Sequence, residues 1–252
     1  MMLKSFALRA AAAVCALLFL AGCEGAAAAQ KAASQPAAES VPQSAAPAAA
    51  GGKTLRVQNL QQMPGLPAGC EITAAAIALN YLGYEVSKET LARYLPRGEG
   101  FSVSGGKRYG PDPWKAFAGS PEQDRYGCYA PVVAGAVNAF LASVGAQDNN
   151  RAADLTGAPV ERLYGYIDRG LPVVVWVTSR MEAPEPGDGW YLKDTGGYFR
   201  WIKKEHAMVL IGYTAAQAVF SDPNDPRGTV AYDKALFAQR YGELYSQAVT
   251  VE

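Results

Sequence analysis

The sequence predicts an α+β domain in which helices come first and an antiparallel set of strands follows. Three observations carry that reading. Between Cys70 and Asp168 the apolar residues fall into helix-length segments punctuated by Gly and Pro. Leu171 to Val177 is a nearly continuous apolar run, short enough for a strand buried on both faces. From Tyr198 onward, strand-length segments follow one another with turn residues between them. The part that can fold, residues 53–252, spans about 200 residues, the size of one domain.

Along the chain, Leu55 to Gln58 alternates as a strand does, and Gln62 to Gly69 is a Pro/Gly-rich loop. Cys70 to Leu82 reads as a helix whose small residues, Thr73, Ala74, Ala75, Ala76 and Ala78, allow close backbone packing, with Gly83 to cap it. Ser87, with Thr90 and Leu91, opens a short second helix that stops before Pro96. Phe101 to Arg125, rich in Gly, Pro and aromatics, reads as an ordered loop, and Pro131 to Val144 as a third helix with Pro at its start. Val160 to Asp168 is a fourth helix and leads through Gly170 into the apolar strand. A polar excursion from Pro184 to Gly197 precedes three more strands, Tyr198–Ile202, His206–Tyr213 and Gln217–Ser221. Asp233 to Tyr241 is a last helix and Tyr245 to Val251 a last strand. No internal repeat is visible.

Composition narrows the function classes. The 23 basic and 23 acidic side chains cancel, which argues against a nucleic-acid partner held by a basic face. With one histidine, His206, the chain cannot build a site that needs two imidazoles, which removes the HExxH metalloproteases. No metal site and no cofactor motif is expected.

The N-terminus reads as an address. Lys4 and Arg9 precede an apolar run from Ala10 to Ala21, the length of a secretory signal and too short for a membrane-spanning helix. It ends in Leu20-Ala21-Gly22-Cys23, which resembles the lipobox of bacterial lipoproteins. That resemblance implies a signal peptide over 1–22, lipidation of Cys23, and an extracytoplasmic protein held on a membrane by its acyl chains. Of the 29 residues from Glu24 to Gly52, 13 are Ala and three are Pro, with Val41 the one large aliphatic. Such a stretch buries too little apolar area to fold, so 23–52 is expected to be a disordered linker.

The chemistry concentrates at three places. Cys70 opens a helix, where free N–H groups and the positive end of the dipole favour a thiolate. A nucleophile also needs a base, and His206, at the head of a strand whose later residues are core-like, is the one imidazole available. Asp222 ends the next strand, 16 residues on, within reach of His206 across an antiparallel pair; Asp225, in the same turn-rich segment, is the other candidate. Gln62, eight residues ahead of Cys70, can offer an amide to an oxyanion beside the Cys70 N–H, with Gln61 adjacent as the alternative. Glu71 in the first helical turn suits the dipole and reads as structural. In an exported protein Cys70 and Cys128 can in principle pair, but a buried, unpaired Cys128 is expected. The loop aromatics, among them Tyr126, Trp190 and Trp201, are expected to pack as local cores rather than to line a cleft.

Taken together, Gln62-Met63-Pro64-Gly65-Leu66-Pro67-Ala68-Gly69-Cys70-Glu71, Asn80-Tyr81-Leu82-Gly83, Gly170 to Trp176, Glu205 to Tyr213 and Ser221-Asp222-Pro223 resemble the peptidase C39-like family of the papain-like clan. His206 lies 136 residues after Cys70, inside the papain-like range of about 130 to 150. The resemblance implies a papain-like fold with N-terminal helices packed on an antiparallel sheet. It also implies Cys70 as nucleophile, His206 as base and acid, Asp222 as the residue orienting it and Gln62 as oxyanion donor. A membrane-anchored cysteine peptidase acting on a peptide or protein substrate is the expected function. A thiol acyltransferase, a cell-wall amidase with the same triad, or a non-catalytic binding module are the alternatives.

Overall fold

The computed structural model describes residues 52–252; the signal over 1–22, the lipidation of Cys23 and the linker up to residue 51 lie outside the described residues. The described chain contains eleven strands and five α-helices in two sheets. Helix α1 (Cys70–Tyr81) follows the Pro/Gly loop, and its first ten residues are all buried. A helix apolar on every side belongs in the interior, and its Ala-rich sequence lets neighbours approach its backbone. Helix α2 (Lys88–Ala92) begins at Ser87, whose side chain accepts the Thr90 N–H, and α3 (Ala130–Ser143) carries Pro131 in its first turn. Helices α4 (Val160–Asp168) and α5 (Lys234–Glu243) follow, the latter capped by Asp233, which accepts from the N–H groups of Ala235 and Leu236.

The large sheet runs β10 (Thr229–Asp233), β9 (Gln217–Ser221), β8 (Glu205–Tyr213), β5 (Val173–Thr178), β11 (Ala248–Val251), β4 (Ala152–Asp154), with every neighbouring pair antiparallel. Strand β5 is buried at all six positions. Val174 and Trp176 face the cluster built by α1 and α3, while Val173, Val175 and Val177 face the one built by α4 and α5. The α+β, papain-like arrangement of helices on an antiparallel sheet therefore holds, with the N-terminal helices on one face and α4 and α5 closing the other.

Several strands differ from expectation. The alternating Leu55–Gln58 is irregular chain, and only β1 (Lys53–Thr54) pairs with β8. The reason is room at the edge: β5 covers β8 up to Leu210, so the incoming chain pairs at Tyr213 and Gly212 and makes one last bond, Leu55 N–H to the Ile211 carbonyl, before it must leave. Gly212 makes this approach possible, because a Cβ there would sit 2.6 Å from the Lys53 carbonyl oxygen. The expected loop over 101–125 contains the hairpin β2 (Ser102–Ser104) and β3 (Lys107–Gly110), turned by Gly105 and Gly106, both at positive φ. The polar excursion contains β6 (Glu185–Leu192), which with β3 and β7 (Tyr198–Lys203) completes a four-stranded second sheet. Trp190, Trp201, Phe199 and Tyr126 pack against one another in edge-to-face, tilted and stacked pairs, a local core as expected, but Tyr126 and Trp201 also line a cleft, which corrects the expectation that such aromatics would not.

Candidate active site

Cys70 is the first residue of α1 and is 7 % exposed. A cleft of about 230 Å³ brings it together with Gln62, Tyr126, Trp201, Glu205 and His206. Strand β7 ends at Lys203 and turns through Lys204, at positive φ, so that β8 starts with Glu205 and His206 at the cleft.

His206 Nε2 lies 2.7 Å from Asp222 Oδ1, both residues buried. The same Oδ1 accepts the Asn224 N–H at 2.8 Å, so Asp222 makes a turn and holds an imidazole at once. With Nε2 engaged, Nδ1 is the ring nitrogen left for proton transfer in the cleft. Asp225 makes no hydrogen bond to His206; its carboxylate is taken up by Arg227. Gln61 likewise turns away, donating to Asn59 Oδ1 at 2.6 Å and the Asp225 carbonyl at 2.9 Å. Gln62 is the glutamine that lines the cleft: its Nε2 donates one hydrogen to the Pro67 carbonyl at 2.7 Å and has a second to give, and its Oε1 is buried without a hydrogen-bond partner.

The two loops that present these side chains are sewn together by residues that sequence reasoning did not single out. Asn59 Nδ2 donates to Ser221 Oγ and to the Asp222 carbonyl, both at 2.9 Å, and the Gln62 N–H reaches the Pro223 carbonyl at 2.7 Å. Lys88 Nζ donates to the carbonyls of Gln61, Gln62 and Pro64 at 2.6 to 2.7 Å, using all three of its hydrogens on one loop.

The electrostatics around the thiol differ from the helix-dipole expectation. Burial, followed by the carboxyl groups of Glu71 and Glu205, pushes the Cys70 thiol well above its ordinary range; the backbone N–H of Ala207 pulls the other way. Glu71 is no surface residue of a helical first turn. It is fully buried, its Oε2 3.3 Å from Cys70 Sγ and its Oε1 accepting the Cys128 N–H at 2.9 Å. Burial raises its carboxyl to about 7. Glu205 is raised well above the carboxylate range by burial and then by Glu71. A signal for Glu205 does exist in the sequence, since it falls in period-two register with Ala207, Val209 and Ile211, which face α1. Cys128 is buried and unpaired, as expected, and burial raises its thiol too.

Sulfur and carboxylate oxygens of Cys70, Glu71 and Glu205 lie within 4.8 Å of one another. Both Glu71 oxygens already accept hydrogen bonds, so this trio is poorer in free donors than a metal centre requires.

Comparison with known proteins gives three findings. The model of the Peptidase_C39 like family matches residues 54–249. The uncharacterized protein YvpB of Bacillus subtilis (strain 168) is 29 % identical over 196 residues, covering 77 % of this chain and 73 % of that protein. The crystal structure of a candidate C39-like peptidase from Bacillus anthracis superposes with a TM-score of 0.67 at 28 % identity, covering 79 % of this chain and 97 % of the other.

Proposed function

This chain belongs to the Peptidase_C39 like family, and from that premise we propose that it is a cysteine peptidase working through an acyl-enzyme on Cys70. The observation that carries the reading is the buried His206–Asp222 pair opening into the same cleft as Cys70 and Gln62. Asp222 fixes the ring through Nε2, which leaves Nδ1 to exchange a proton with the thiol and later with the leaving group. The Cys70 sulfur, as thiolate, attacks a peptide carbonyl carbon and forms a tetrahedral oxyanion. The Cys70 N–H and the second Gln62 amide hydrogen are the donors at hand for it. His206 gives its proton to the departing amine. The thioester is then hydrolysed by water that passes a proton back to His206, and the second product leaves as the acid.

The test is peptide-resolved alkylation of Cys70 against pH in the purified full-length protein carrying Cys128→Ser, with and without His206→Ala, alongside hydrolysis of a fluorogenic peptide pool. Loss of His206 is expected to slow hydrolysis by about 10²- to 10⁴-fold and to remove the low-pH limb of alkylation. Alkylation indifferent to His206 would sink the catalytic reading. Export, cleavage before Cys23 and lipidation of its sulfur belong to the same proposal and place the peptidase on a membrane surface; the Leu20–Cys23 motif supports them.

A further inference from the structure

The carboxyl groups of Glu71 and Glu205 have no place in the mechanism above, yet they sit against its nucleophile. Glu71 projects from the start of α1 into a niche that Gly127 leaves open, since a Cβ on Gly127 would collide with Glu71 Oε1. There it touches Cys70 Sγ on one side and the Cys128 N–H on the other. Glu205 comes from the opposite element, β8, on the face that packs against α1. Its Oε1 is buried and has no hydrogen-bond partner.

Among the described residues no Lys or Arg forms an ion pair with either carboxyl, although Arg125 and Lys204 line the same cleft. Lys204, next in the chain, is committed to Glu182 and Glu185, and Arg97 to Glu122. The titratable groups facing them are Cys70 on α1, Cys128 and Tyr129 at the start of α3, and His206 on β8. Of these only His206 can carry a positive charge; Asp222 holds its ring, and that charge favours the ionised form of Glu71, though less than burial opposes it. Two carboxylates with oxygens within 4.8 Å of each other beside one thiol cannot both ionise at ordinary cost, so one of them keeps a proton, which supplies the donor that the buried Glu205 Oε1 lacks.

We infer that Glu71 and Glu205 form a proton-sharing carboxyl pair behind Cys70 which sets the pH range in which the thiol reacts. The inference deepens the peptidase reading and rests on Cys70 being the nucleophile. Each proton the pair loses adds a negative charge beside Sγ and makes the thiolate harder to form; each proton it keeps favours the thiolate–imidazolium couple. The pair touches the thiol without entering the reaction with substrate, so both glutamates act as positioning residues that tune charge.

Two measurements on the full-length protein test this. In the infrared, the parent at neutral pH should show the C=O stretch of a buried carboxylic acid, and Glu205→Gln and Glu71→Gln should each weaken it. In the Cys128→Ser background, Glu205→Gln should lower the pH of half-maximal Cys70 alkylation by about one unit or more, close to tenfold in rate at fixed pH. Absence of the acid band in the parent overturns the pair without any variant having to fold. A Glu205→Gln alkylation curve that overlays the parent's overturns its influence on the thiol. Failure of the peptidase reading looks different: alkylation would ignore His206→Ala while the infrared band persisted.

Discussion

A carboxyl that folds into a site holding its pKa near 7 is a cost the folded state bears only when the group ionises. Glu71 is such a group, raised to about 7 by burial. At pH values below the ordinary glutamate pKa of about 4.3, folded and unfolded chains are both protonated and nothing is lost. Between about 4.3 and 7 the unfolded chain releases its proton first, so stability falls as pH rises through this window. The full shift corresponds to roughly 3 kcal/mol, or about 5 to 10 °C in Tm for a domain of this size. Glu205 is raised and adds to the same trend, whereas Glu122, lowered to about 2 mainly by Arg97, loses its contribution only at more acidic pH. Calorimetry from about pH 5 to about pH 8 should therefore show Tm dropping in the parent and a flatter profile in Glu71→Gln; equal slopes would contradict it. At this scale the sequence was legible where chemistry narrows the choice, as with one histidine and one helix-opening cysteine. It was silent where burial decides: Glu71 reads as an ordinary first-turn carboxylate, and Glu205 shows its inward face only through its period-two register with Ala207, Val209 and Ile211.

Helix α2 shows how an element serves a site it does not line. Its Lys88 ammonium, 11 % exposed, donates to three carbonyls of the loop that carries Gln62. Lys88→Met keeps the aliphatic stem and leaves those carbonyls without their donor. A loss of about 2 kcal/mol is expected, with a fall in peptide kcat that exceeds any change in KM because the oxyanion donor moves. Unchanged kinetics with normal stability would show that the loop holds its shape without the lysine. Helices α1, α3 and α4 were readable because each is long enough to show its composition and is followed within two residues by Gly, whereas the five-residue α2 was marked by its Ser87 cap and Pro96. Strands β4 and β10 were not, since three to five residues with mixed burial carry little pattern. The hairpin β2–β3 was readable in principle from Gly105-Gly106, but its exposed Val103 and charged flank mask any alternation. Strand β6, which begins Glu185-Pro186-Gly187-Asp188-Gly189, has the composition of a turn and is a strand only because β7 and β3 pair with it.

Across the whole molecule the site depends on parts far apart in sequence. Gln62 and Cys70 come from the N-terminal loop and helix, His206 and Asp222 from the central and next strands of the large sheet, and Trp201 from the smaller sheet. No helix among the described residues is long and apolar enough to cross a membrane. Membrane attachment in the proposal therefore rests on Cys23, whose sulfur would carry the diacylglyceryl group. Such an anchor would confine the domain's substrates to the surface layer. Fractionation of cells expressing the full-length chain should find the parent in the membrane pellet and Cys23→Ser in the soluble fraction or still carrying its signal. Because residues 52–252 contain their own two-sided core, the variant should keep the alkylation behaviour of Cys70 unchanged. A Cys23→Ser protein that still sediments with membranes would show that something other than an acyl chain holds the molecule there.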